Sequence, residues 1–178
     1  MAELSTEEID ALAEQIRLGQ DEIHLPDELL RELGLDSAQA RNLYALIQQM
    51  SIGERLKLAL KGGREARAIL IRDANRMVQR FVLENPRLTD DEVLALCKNR
   101  NIDTEVLRVV GDDKEWSRSY QVRLALTQNP KTPLRIALHY VNGLMERDVR
   151  LLSKSKNVSS AVTGKARRML IEHEKRGR

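Results

Sequence analysis

Apolar residues along this chain recur with the period of a helix. Ile9, Leu12 and Ile16 share one helical face, and Leu43, Leu46, Ile47 and Met50 follow the i, i+3, i+4, i+7 pattern. No run of β-branched residues alternates with polar ones, so the pattern predicts an all-α fold. Start signals divide it. Ser5-Thr6-Glu7-Glu8, Ser51-Ile52-Gly53-Glu54 and Thr89-Asp90-Asp91-Glu92 have the capping-box form, in which a hydroxyl and a carboxylate satisfy free amides at a helix start. Asp21 to Leu25 predicts a connection, and Pro26 the first position of a short helix closed by a left-handed Gly34. Asp36 is expected to cap the next helix. The helix opened by Ser51 stops at Gly62-Gly63, another runs from Arg64 to about Arg72, and Asp73 turns the chain into a helix from Asn75 to Glu84.

Two echoes follow. "VQRFVLENPRLT", Val78 to Thr89, returns as "VRLALTQNPKTP", Val122 to Pro133, an offset of 44. A residue before proline is pushed out of the α region and proline has no amide to continue the helix, so each Asn-Pro ends one helix. The restart is Thr89 with its box in the first copy; in the second it is Thr132 as cap with Pro133 at the first helical position. "DEVLALCKNRNIDTEV", Asp91 to Val106, then aligns with "RDVRLLSKSKNVSSAV", Arg147 to Val162, at an offset of 56. The later copy has gained about one short helix, Leu134 to Asn142. Periods near this length, built of paired helices, are typical of HEAT and armadillo-type arrays.

On those segments the chain resembles the leucine-rich-variant and HEAT-like helical repeats of bacterial proteins. The resemblance covers 51–170. It implies a right-handed α-solenoid of short imperfect repeats over 51–178, preceded by a small acidic helical section, 1–50. It supplies no catalytic residue. Some such proteins carry a Cys-rich iron–sulfur segment, which a chain with Cys97 alone cannot build.

Charge sharpens the division at residue 50. Residues 1–50 hold 11 Asp/Glu and 3 Lys/Arg, a net of −8; residues 51–178 hold 16 and 27, a net of +11. The acidic section is therefore expected to contact the basic repeats, with room for competition against an acidic partner. A single cysteine excludes a disulfide framework and fits a reducing, cytoplasmic setting. The first residues lack a signal-peptide pattern, and no stretch approaches the roughly 18 apolar residues that span a bilayer.

Candidate chemistry is sparse. Gly34-Leu35-Asp36-Ser37 resembles the attachment site of acyl carrier proteins, with Ser37 as the bearing residue, but helix punctuation accounts for the same residues. His24, His139 and His173 are dispersed, with no metal-ligand spacing; Cys97 sits on an apolar face, and Gly62-Gly63 lacks the lysine and strand of a phosphate loop. Arg67, Arg80, Arg123 and Arg150 recur near helix starts and can form a ladder toward an acidic partner. Arg167 and Arg168 lie in a basic segment, Arg150 to Arg178, with 9 Lys/Arg against 2 Asp/Glu, and Trp116 can lock the loop after Gly111. The expectation is a non-enzymatic repeat scaffold or regulatory adaptor, without cofactor, for a protein with an acidic surface. The alternative is a nucleic-acid-binding HEAT-like protein using the basic face and last helix.

Overall fold

The structure, a computed structural model, describes residues 5–32, 34 and 37–176. Among them the chain is all helical, with eleven α-helices, two short 3-10 turns and no strand. Contacts gather it into two compact units, Met1–Leu88 and Thr89–Arg178. The charge break at residue 50 falls inside the first unit.

In the first unit, α1 (Thr6–Leu18) opens at Ser5, whose Oγ accepts from the Glu8 amide at 3.3 Å while the Glu8 carboxylate accepts from the Ser5 amide at 2.7 Å. The backbone amide and hydroxyl of Ser5 hold the Glu8 carboxyl below its ordinary value. The same box at Ser51 and Glu54 starts α3 (Ile52–Lys61). Between them α2 spans Ser37–Gln49; Asp36, its expected cap, lies outside the described residues. Leu43 and Ile47 of α2 are buried but Leu46 is 44 % exposed, so the buried stripe is narrower than the spacing suggested. After α3 come α4 (Arg64–Leu70) and α5 (Arg76–Leu83); α1 packs on α3 and α3 on α5, burying Ile16, Leu56, Leu70 and Phe81.

The helix expected from Pro26 to Gly34 shrinks to a 3-10 turn, Asp27–Leu30, with Arg31 extended at φ −94°, ψ 157°. Packing explains the early stop. The Gly63 amide donates to the Leu29 carbonyl at 3.3 Å, and a Cβ on Gly63 would lie 1.9 Å from the Arg31 carbonyl oxygen. The chain is therefore pressed flat against a glycine that has no side chain to hold it off. Gly34 does adopt φ 57°, four residues past the turn, where its amide reaches Glu65 Oε1 at 2.9 Å.

The second unit contains α6 (Asp90–Lys98), α7 (Thr104–Asp112), α8 (Tyr120–Gln128), α9 (Leu134–Val141), α10 (Glu146–Lys154) and α11 (Ser160–Arg176). Thr89 and Glu92 form the expected capping box of α6. α6 packs on α8, while α9 and α10 both pack on α11 around Val141, Leu152, Val162 and Ala166. Helix boundaries follow both sequence echoes. α5 and α8 begin 44 residues apart, as do α6 and α9; α6 and α10, then α7 and α11, begin 56 apart. At the second restart the cap is displaced by one residue. Pro133, at ψ 131°, occupies the cap position of α9 and its carbonyl accepts from the Ile136 and Ala137 amides. Thr132 is instead buried, and its hydroxyl faces no hydrogen-bonding group.

The two Asn-Pro asparagines do more than end helices. Asn85 Nδ2 donates to the carbonyls of Ala59 and Gly62, at 2.8 and 3.2 Å, across the end of α3. Asn129 Nδ2 donates to those of Cys97 and Asn99, at 2.8 and 3.0 Å, across the end of α6. In each, Oδ1 accepts from the amide two residues on, that of Arg87 or Lys131. Both are almost fully buried. Each ties its helix to carbonyls at the open end of the helix it packs on, groups that lack an intrahelical donor. Asn129→Ala should lower stability in urea unfolding by about 2 kcal/mol, and Asn129→Asp by more, because it sets a carboxylate against two carbonyls; Asn85 should behave alike.

Candidate functional site

The acidic section contacts basic residues of its own unit. Lys57 Nζ donates to Asp21 Oδ1 at 2.7 Å and to the Ile23 carbonyl; the Asp21 side chain is only 2 % exposed. Burial raises the Asp21 carboxyl, but the Lys57 ammonium and the Ile23 amide outweigh it and hold it below the ordinary aspartate value. Arg17 binds Glu84 through Nε and Nη2, at 2.8 and 2.9 Å, and lies 4.6 Å over the Phe81 ring. Arg55 Nη1 donates to Asp73 Oδ2 at 2.7 Å. The first two pairs fasten α1 and the segment after it to α3 and the end of α5, and the third holds α3 to the turn before α5.

Of the expected ladder, Arg67 is 2 % exposed, with Nη1 donating to the Gly62 carbonyl at 3.0 Å and to Glu32 Oε1 at 3.1 Å. It closes the end of α3 and is withdrawn from any partner. Arg80 is exposed on α5. In the second unit, half-buried Arg123 donates from Nη1 to the carbonyls of Ser117 and Arg118, at 2.9 and 3.1 Å, and stands 5.8 Å from the Tyr120 ring. It finishes the 3-10 turn Trp116–Arg118. Trp116 is half-buried there, its amide donating to Asp113 Oδ1 at 3.1 Å. Arg150 is exposed and paired with Glu146 through Nε and Nη2. Arg167 and Arg168 are exposed on α11, with Arg167 Nε on the Ser153 carbonyl at 3.0 Å. The ladder is thus divided: Arg67 serves the end of α3 and Arg123 the 3-10 turn, Arg150 has an acidic neighbour, and Arg80 is exposed.

Other groups settle into structural roles. Cys97 is buried, and burial pushes its thiol up to about 12. Among the described residues no cluster of His, Cys, Asp or Glu has metal-binding geometry, and no helix is long and apolar enough to cross a membrane. Ser37 is the first residue of α2.

Several concavities open among the described residues. In the first unit a cleft of about 460 Å³ lies beside Tyr44, Ile47, Arg55, Ile69 and Arg72. In the second, the ends of α6, α8 and α10 meet at a shallow cleft of about 240 Å³ bounded by Arg100, Gln128, Leu151, Leu152, Asn157 and Val158. Arg100 and Leu151 were not singled out by sequence, although one signal was readable: the connections after all three helices carry cations, and their one carboxylate, Asp103, is the cap of α7. Comparison with protein-family models, with curated proteins and with solved structures found no match for this chain.

The Asp21–Lys57 pair generates a pH prediction. A carboxyl depressed on folding stabilises the fold above its unfolded pKa, and that contribution is lost as pH falls through the folded value. Asp21→Asn should cost about 2 kcal/mol at neutral pH in urea unfolding. The gap from the parent chain should close as the solution is acidified below the ordinary aspartate range; a constant gap would assign the cost to packing.

Proposed function

We propose that this protein is a non-enzymatic adaptor of helical-repeat type, a right-handed α-solenoid in the cytoplasm that presents basic surface to a protein partner with an acidic surface. The observation that carries this reading is the recurrence of helix starts at offsets of 44 and 56. It is supported by the next-but-one packing of α3 on α5, α6 on α8 and α9 on α11, the arrangement that repeat arrays use to bury their apolar faces while exposing rows of helix ends. Such rows make extended surfaces suited to recognition. The surplus of 27 Lys/Arg over 16 Asp/Glu in 51–178 sets the sign of the partner. One observation favours nucleic acid as a second reading: Arg167 and Arg168 are both exposed on α11.

Affinity capture by the tagged full chain from nuclease-treated extract of the native host, at low and raised salt, distinguishes them. The adaptor reading expects a stoichiometric acidic protein, identified by mass spectrometry and released by salt. Recovery of neither protein nor nucleic acid at low salt would overturn it. Capture of nucleic acid from untreated extract, reduced by Arg167→Glu with Arg168→Glu, would establish the second reading in its place.

A further inference from the structure

We propose that the edge of the second unit where α6, α8 and α10 end is a docking groove for an extended acidic peptide segment of the partner. An apolar side chain of that segment sits on Leu151 and Val158, and its flanking carboxylates meet Arg100 and the surrounding lysines. The inference rests on the adaptor reading and names the part of the surface that holds the partner.

Three connections build the edge. Residues 98–103, 128–133 and 151–159 contain Lys98, Arg100, Lys131, Lys154 and Lys156 against one carboxylate, Asp103, whose Oδ1 is engaged by the Glu105 amide at the start of α7. All five cations are exposed. The connections are brought together at the shared cleft, and the first two are fixed to each other by the buried Asn129 amide on the Cys97 and Asn99 carbonyls. A rigid edge of one sign loses little order when an anionic chain binds, and it attracts that chain over roughly a Debye length, about 10 Å.

The apolar floor gives the edge its selectivity. Leu152 is 1 % exposed, a core residue, whereas its neighbour Leu151 is 65 % exposed in the wall of the cleft. A helix end attracts lysine through its dipole, but that field gives no reason for an open leucine among cations. Covering Leu151 with an apolar side chain does. Gln128 and Asn157, which also line the cleft, carry amides that both donate and accept and so match the backbone of an extended peptide. Among the described lining residues there is no aromatic ring to stack a base, which favours peptide over single-stranded nucleic acid.

The test uses the full chain and the fluorescein-labelled peptide Glu-Asp-Glu-Leu-Asp-Glu-Asp, read by anisotropy at low salt. Binding is expected, weakened about fivefold when the peptide leucine is replaced by serine or when Leu151→Ser is introduced. Arg100→Glu with Lys156→Glu should weaken it at least about tenfold, while Arg72→Glu with Arg76→Glu, an equal charge change on exposed residues of the first unit, should leave it unaltered. All variants alter exposed side chains, and thermal melts by circular dichroism verify that they fold. Absence of peptide binding by the parent chain, equal affinity in the Leu151 and Arg100/Lys156 variants, or tighter binding of an oligodeoxynucleotide of matching charge would each overturn the groove. If the partner captured from extract is held equally by these variants, the groove falls and the adaptor reading stands; if extract yields no protein, the adaptor reading itself falls.

Discussion

The structure depends on how the carbonyls at the ends of short helices are satisfied. An α-helix leaves about four amides and about four carbonyls without intrahelical partners, whatever its length. Here α4 to α10 are seven to nine residues long, so terminal groups make up most of their backbone, and many of those ends are buried. Asn85 and Asn129 answer for α3 and α6 from the helix stacked on each. Arg67 reinforces the end of α3 through the Gly62 carbonyl. Farther along, Lys165 Nζ takes the Leu138 carbonyl at 2.8 Å and Arg167 Nε that of Ser153. Polar side chains that look like surface chemistry are consumed in joining one helix end to the next.

That constraint explains which parts were legible in the sequence. Helix starts were, because the capping boxes at Ser5, Ser51 and Thr89 are local and each satisfies its amides within three residues. Asn-Pro stops were legible for the same reason. The destination of the asparagine amides was not, since their acceptors lie 23 to 32 residues away. The segment after Pro26 failed as a helix because Gly63 claims its backbone across more than thirty residues. Thr132 has the chemistry of a cap, yet burial turned it inward and left the position to Pro133. Arginines were the least legible of all. Arg67 and Arg80 stand in similar local patterns, and only tertiary packing decides that one is sealed inside and the other faces water.

The same reasoning separates two origins of the charge on the second unit. α8 and α10 run side by side in one direction: at their starts Tyr120 Oη donates to Asp148 and accepts from the Met145 amide at 3.1 Å, and their ends share a cleft. Acidic residues gather at the starts, with Asp90, Asp91 and Glu92 on α6 and Glu146 and Asp148 on α10, while Lys98 and Lys154 occupy the last turns. Helix dipoles favour this polarity one helix at a time.

What the dipoles leave unexplained is the edge as a whole. A lysine in the last turn satisfies one helix end, but Arg100, Lys131 and Lys156 lie beyond the helices, where the terminal field has fallen away and mutual repulsion opposes their gathering. Stacking helices whose ends face one way forces those connections together, so a modest bias in each becomes a surface of one sign. Repulsion at such an edge is relieved by a carboxylate from outside, because the one carboxylate of the connections, Asp103, is engaged in capping α7. The open Leu151 in its midst suits a chain that is apolar at one position as well as acidic.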